Sequence, residues 1–390
     1  MKKKTIIKCL LTCFMVLIYG LCIGQTNPYF KHEIDMEKVL RDNKKISLTT
    51  ITDSVRYIKL ETNAKCLVGR INKIIIHNNF IYVGSFHNIF KFDMNGKFIC
   101  QIGTKGQGPR EYVQLRDFVV KNDSLFILTR NKVLTFNING NFLNEVSFNT
   151  DGLSLNKTNN CFVIDNDKAG TIDFFDKNGK LVKSEQVKSN AGNKFPVMLM
   201  YRHQNIFFQS RDNFCVNTFH NDTIYQIDNL NRVVPYLLIN LGKFKLPPNK
   251  RAEAVNLEKF GNISSPYVRP GLMESGNYIF LEINKWERKS QVNEFGLASN
   301  KVGSLGIILY EKSSSNTMII TNDGIEDNIP CFYPFFSDGQ NLLISYVDAH
   351  EAVEFYQKSK TNPKLNRKFI EVAKNMKVDD NPIVMVAYLK

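Results

Sequence analysis

Three segments of the chain repeat one pattern: FDMNGK from Phe92, FNINGN from Phe136 and FDKNGK from Phe175, at offsets of 44 and then 39 residues. Each follows a β-rich stretch and centres on Asn-Gly. Both of these residues tolerate positive φ, so the dipeptide favours a two-residue type I′ hairpin turn. A hairpin that returns about every 40 residues, with several short strands per unit, is the signature of a β-propeller.

Taking that turn as the link between the third and fourth strands (C and D) of a blade sets a register. Blade one reads RINKIIIH, FIYVGS, NIFKFD and KFICQIG, and blade two reads LRDFVV, SLFILT, KVLTFNI and NFLNEVSF. Blade three spans 152–187, and blade four holds NIFFQS, FCVNTF, TIYQID and YLLINLG. Blade five shows NYIFLEI, GIILYE and TMIITN. Its boundaries are the least regular, and it departs most from the repeat. Blade six supplies CFYPFF, NLLISYV and the terminal IVMVAYLK, and lacks a strand; SVRYIKLE at 54–61 is placed to fill it and close the ring. The expected fold is therefore all-β, a six-bladed β-propeller over 54–390 with helical insertions on one face. Insertions are expected near 243–265, 284–304 and 348–376; in the last of these, Phe369, Val372, Ala373 and Met376 follow helical spacing.

Ahead of this lies MKKKTIIKCLLTCFMVLIYGLCIGQ, a basic start, a short apolar run and small residues before Gln25. That is a secretory signal peptide over 1–24, followed by an N-terminal extension over 25–53. Lipidation of Cys22 is disfavoured because Leu21 stands where a small residue is expected. No later apolar run is long enough to span a membrane, so the mature chain is expected without a transmembrane helix, in the periplasm or at the outer membrane, and as a monomer. Eight cysteines fall to five, Cys66, Cys100, Cys161, Cys215 and Cys331, at wide spacing and without a Cys/His cluster. Buried free thiols are the reading, with no metal and no cofactor.

The stretch GQGPREYVQLRDFVVKNDSLFILTRNKVLTFNINGNF resembles an NHL repeat, in which a Gly-x-Gly-Pro loop leads to the inner strand of the next blade. Together with NDTIYQI from Asn221 and the terminal DDNPIVMVAYLK, it is similar to a family of exported, envelope-associated six-bladed propellers of bacteria. The resemblance covers nearly the whole mature chain and implies architecture and location far more than activity.

The Gly-rich stretch QIGTKGQGPREYVQL is no phosphate loop, since it lacks GxxxxGK[ST] and leads into a strand rather than a helix. Its glycines and proline serve a tight descent between blades. Arg110, Glu111, Tyr112 and Arg116 are expected at the channel mouth. His87, Arg130 and Arg211 are expected in short B-to-C loops, with His350 at the start of the last insertion. Trp286, Arg288 and Lys289 share the 284–304 loop, where an indole among cations suits a sugar ring.

The formal charge of +14 falls to +10 once Lys2, Lys3, Lys4 and Lys8 leave with the leader. Five connections of the D-to-A or B-to-C kind, 103–114, 188–204, 243–265, 284–304 and 348–376, carry 20 Lys and Arg against 9 Asp and Glu. One face should therefore be basic. The expected function is a binding module for an anionic, carbohydrate or peptide ligand on that face. A lyase or hydrolase at the channel mouth and a scaffold subunit of an outer-membrane uptake complex are the alternatives. A non-enzymatic role is preferred, because no nucleophile motif such as GxSxG is present. Nucleic acid is not expected as a partner of an exported chain.

Overall fold

The computed structural model describes residues 29–390 except 43, 45, 109, 151, 167–168, 188–205, 218–220, 248, 251–252, 254–258, 260–261, 264–266, 286–303, 321–331 and 360–366. The leader, Cys331 and most of the insertions near 243–265 and 284–304 lie outside the described residues.

The chain is a six-bladed β-propeller built from four-stranded antiparallel sheets. From the inner strand A to the outer strand D, blade one is Ile71–His77, Phe80–Ser85, Ile89–Asp93 and Phe98–Gln101, and blade two is Asp117–Lys121, Ser124–Leu128, Lys132–Asn137 and Phe142–Ser147. Blade three is Leu155–Lys157, Phe162–Asn166, Thr171–Phe175 and Leu181–Gln186. Blade four is Phe207–Ser210, Asn213–Val216, Thr223–Ile227 and Val233–Asn240. Blade five is Val268–Ser275, Tyr278–Lys285, Ser304–Glu311 and Asn316–Ile320. Blade six takes Phe336–Ser337, Leu342–Val347 and Ile383–Leu389 from the end of the chain and Thr52–Lys59 from its beginning.

The core is not one body but six, each trapped between neighbouring blades. The B strands show how the sequence achieves this. In FIYVGS, Ile81 and Val83 face blade six while Tyr82 faces blade two. In blade five, Ile279 and Leu281 face blade four, and Phe280 faces blade six. A strand buried on both faces must be apolar at successive positions, which is why these runs do not alternate with polar residues. The outer strand Leu181–Gln186 has the opposite pattern and stays largely exposed.

The repeated turns differ from the sequence expectation. They are not type I′ turns. In blade one the Gly96 amide donates to the Asp93 carbonyl at 3.0 Å, and the Asp93 side chain accepts from the amides of Asn95 and Lys97. Gly96 then takes φ +82°, and the C–D register shifts beside it. This is a three-residue loop with a bulge, which asks only its last residue for positive φ. Blades two and three repeat it around Asn137 and Asp176, and blade four around Asp228 with Asn231 in the bulge position. True paired positive-φ turns occur instead between strands A and B, at Asn78-Asn79 and Asn122-Asp123.

Residues 31–51 form a belt around the outside of the ring. His32–Asp35 adds a fifth strand to blade four, parallel to Leu237–Asn240. Asp35 caps the helix that follows (α1, Met36–Asp42) by accepting from the Glu37 and Lys38 amides. The belt then exchanges backbone bonds with Ile319 on the edge of blade five, through Lys44 and Ile46. A short helix (α2, Leu48–Ile51) brings it to the closing strand. The B-to-C insertion of blade six carries α3 (Ala349–Ser359) and α4 (Arg367–Ala373), packed between blades five and six with Phe369 edge-on to Tyr57 at 5.4 Å.

Candidate functional site

In a blade of four antiparallel strands, the A–B and C–D turns lie at one end and the B–C and D–A connections at the other. The second kind carries the long segments, and their described parts are anchored by a few buried polar groups. Asn381, from the terminal DDNP, is 3% exposed. Its side chain accepts from the Val68 amide at 2.9 Å and donates to the carbonyls of Glu61 and Cys66, both at 2.6 Å, while its own amide donates to the Thr62 hydroxyl. This single residue staples the loop after the closing strand to the C-terminal segment. Beside it, Lys59 donates to Asp380 at 2.7 Å. Burial pushes the Asp380 carboxyl up, but Lys59 and the Lys377 amide outweigh it and hold the group below its ordinary value. Glu61 is likewise held low, chiefly by the Phe98 amide and then by Asn63.

The Gly-rich connection folds around a carboxylate. Glu111 accepts from the Gly108 amide at 2.8 Å and occupies the space over Gly106, so that a side chain there would displace it. Thr104–Lys105 and Glu111–Tyr112 pair as a short parallel ribbon. Tyr112 lies in the core between blades one and two, 1% exposed, and burial raises its hydroxyl above the ordinary range. Arg110, with φ +68°, lays its guanidinium over the Phe142 ring at 5.2 Å and stays exposed. Arg116 donates to the Gly152 carbonyl at 2.7 Å, joining blades two and three. Next to it, Asp117 accepts from Lys73 of blade one at 2.9 Å and from the Leu155 amide of blade three at 2.8 Å.

His87 is exposed beside Phe86, Arg130 is exposed in the B–C link of blade two, and His350 is exposed in the first turn of α3. Arg211 is placed differently from expectation. It sits in the A–B turn of blade four, with its amide donating to the Gly339 carbonyl, and therefore belongs to the opposite face. Trp286, Arg288 and Lys289 lie outside the described residues. Lys65, Lys105, Arg110, Arg130 and Lys377 are exposed on the long-connection face. Glu111, Asp165 and Asp380 turn inward, whereas Glu61 stays exposed: Asp165 accepts from the Leu153 and Ser154 amides and is 3% exposed.

One polar cluster has no counterpart in the sequence reading. Between blades four and five, Glu274, 1% exposed, accepts from Lys312 at 2.7 Å, Ser210 at 2.8 Å and the Tyr236 hydroxyl at 3.0 Å. His32 of the belt stands edge-on to Tyr236 and Tyr310, with Nδ1 3.3 Å from the Tyr310 hydroxyl and Nε2 buried without a partner. Burial, then Lys31 and Lys312, lowers its pKa to about 4. Burial also pushes the Cys215 thiol well up. The arrangement resembles an acid–base constellation in its residue types, but its groups are closed from solvent and bonded to one another, as in a lock between blades. No sequence spacing signals it, because its members come from strands up to about 280 residues apart. Among the described residues no three His, Cys, Asp or Glu side chains are grouped to hold a metal ion. Cys66, Cys100, Cys161 and Cys215 are free thiols, Cys100 half-buried and the others buried.

Residues 31–388 match the family described as Domain of unknown function (DUF4934), and the chain belongs to it. No curated protein matches significantly. Among solved structures, a protein of Bacteroides fragilis whose name provisionally calls it exported is similar at 17% identity, with a TM-score of 0.69 over 92% of this chain and 99% of that one. A member of the DUF4221 family from Bacteroides vulgatus is 10% identical, with a TM-score of 0.44 over 87% of this chain and 97% of that one. Virginiamycin B lyase from Staphylococcus aureus is 9% identical, with a TM-score of 0.43 over 86% and 99%. At 17% identity the first of these likenesses is one of fold.

Proposed function

We propose that this DUF4934 member is an exported, monomeric binding module that takes an anionic glycan or peptide on the face of its long connections. The leader over 1–24 is read as the export signal, and the periplasm or the outer membrane as the destination. The Gly-rich descent over 103–116 is read as an NHL-type connection that carries Arg110 to that face. One observation carries the proposal. Three of the face's carboxylates, Glu111, Asp165 and Asp380, are engaged in internal hydrogen bonds, while Lys65, Lys105, Arg110, Arg130 and Lys377 remain exposed. A basic field over a rigid scaffold favours anions and loses strength with salt.

An array of acidic glycans and acidic peptides tests it. The wild-type chain should bind at least one class with a salt-sensitive affinity. Joint reversal of Lys105, Arg110, Arg130 and Lys377 to Glu should lower that affinity at least about tenfold, since each cation removed costs electrostatic free energy at an anionic site. Binding unchanged by the reversal, or no binding to any acidic ligand, rejects the proposal.

A further inference from the structure

Large apolar side chains are exposed at four separate points of the same face. Leu67 is 57% exposed, Phe86 44%, Val113 64% and Val378 66%. They stand on the connection from blade six to blade one, the B–C link of blade one, the connection from blade one to blade two, and the B–C insertion of blade six. The hydrogen-bonded framework joins these loops. Asn381, three residues after Val378, bonds to the Val68 amide beside Leu67. The guanidinium of Arg70 covers the Phe86 ring at 5.2 Å. Gln101 bridges the Asn88 side chain and the Gly103 carbonyl at 3.1 Å each, linking the Phe86 loop to the one that carries Val113.

The same loops carry cations. Lys65 lies two residues from Leu67, Lys377 adjoins Val378, Arg110 lies three residues from Val113, and Arg70 rests on Phe86. Among the neighbouring acids, Glu111 is drawn onto the Gly108 amide and Asp380 onto Lys59, while Glu61, bonded to the Phe98 amide, and Asp379 stay exposed. Solvated apolar tips on four loops that also carry cations do not form a slot for one side chain. They suit a fluid, negatively charged interface that takes apolar tips and answers cations at the headgroup level.

We propose that the sector of this face formed by blades six, one and two docks on an anionic lipid surface, with Leu67, Phe86, Val113 and Val378 entering the headgroup boundary. The proposal rests on the basic face described under the proposed function and names its partner.

The test is co-sedimentation of the purified chain with vesicles of phosphatidylglycerol and phosphatidylethanolamine, and with vesicles of phosphatidylcholine alone. The chain should sediment with the first and far less with the second, and each cation neutralised should lower the partition by about fivefold. Val113→Asp and Val378→Asp should each lower it at least about tenfold, because an acid repels the anionic headgroups and an aliphatic anchor is lost. Leu143→Asp, at an equally exposed site on the outer strand of blade two, should leave it unchanged. Far-ultraviolet circular dichroism confirms that the variants are folded. Three results would overturn the proposal: no sedimentation with anionic vesicles, sedimentation unaffected by both loop variants, or an equal loss with Leu143→Asp. A chain that ignores vesicles but self-associates through Val113 and Val378 in sedimentation velocity would assign the patch to a second copy. If vesicles fail while binding to acidic glycans or peptides persists, the lipid proposal falls and the basic-face reading stands. If both fail, so do both readings.

Discussion

Asn231 in blade four holds the backbone position that Gly179 holds in blade three, at φ +65° against +83°, each closing a C–D loop capped by an aspartate. The loop needs a left-handed residue at that place, and Asn supplies one at modest cost. Glycine is required only where a Cβ would strike something. A Cβ on Gly96 would collide with the Lys59 carbonyl and one on Gly179 with the Ser147 carbonyl, whereas one on Gly140 would meet the Gln101 carbonyl at an ordinary 3.5 Å.

Gly140→Asn should therefore cost no more than about 1 kcal/mol, as expected for an Asn at positive φ. Gly96→Asn should cost about 2 to 4 kcal/mol, because the outer strand of blade six must give way. Urea denaturation of the two variants side by side measures the difference, and equal losses would refute the steric account.

Asn381→Ala should destabilise the chain by about 3 kcal/mol or more, since it strands the Val68 amide and two carbonyls in a buried place. Asn381→Asp should be comparably harmful, because the new carboxylate faces the Glu61 and Cys66 carbonyls where an amide donated. Thermal unfolding followed by circular dichroism reads both.

Lys312→Met leaves the Glu274 carboxylate buried without its cation and should cost about 3 to 5 kcal/mol. Lys312→Met combined with Glu274→Leu should cost less than the sum of the two single changes. A double-mutant cycle in urea gives the coupling, and strict additivity would mean that the pair contributes no lock between blades four and five.

His32 gives the fold a pH dependence whose sign is fixed. Its folded pKa, lowered to about 4, lies below the ordinary 6.5, so the unfolded chain binds the proton more readily. Stability present above pH 6.5 should drain away as the pH falls toward 4, by at most about 3 kcal/mol. His32→Phe should flatten the pH profile of the melting temperature across that window.

Glu111→Ala should loosen the 103–116 connection without unfolding the ring, costing about 1 to 2 kcal/mol for a lost charged hydrogen bond. Limited proteolysis should then cut that connection faster than in the wild type.

The propeller was legible because its signals are local. The apolar B strands and the recurring Asn-Gly turns each sit within a few residues of one another. Where the reading failed, the information was not local. The inner strand of blade five, Val268–Ser275, contains Pro270 and Gly271, which break a strand pattern; an innermost strand pairs on one edge only and tolerates a residue without an amide hydrogen on the other. The fourth turn was hidden because Asn231 replaced glycine. The parallel fifth strand of blade four is only four residues long, HEID, and draws its pairing from Leu237–Asn240. Arg211 was displaced because a two-residue link looks the same at either end of a strand. The Glu274 cluster was invisible since its members meet only after the ring forms. Within the candidate site, Arg110 and Arg130 were found as exposed cations, while Glu111 and Tyr112 proved to hold the loop together.

The belt over 31–51 and the strand it leads to also set an order of events. Synthesised ahead of their pairing partners, these residues wait for Leu237 to Asn240, then Ile319, and finally Ile383 to Leu389. Such long sequence separations make folding slow and late. The ring can therefore close only once Ile383–Leu389 is available to pair with Thr52–Lys59, which postpones its completion.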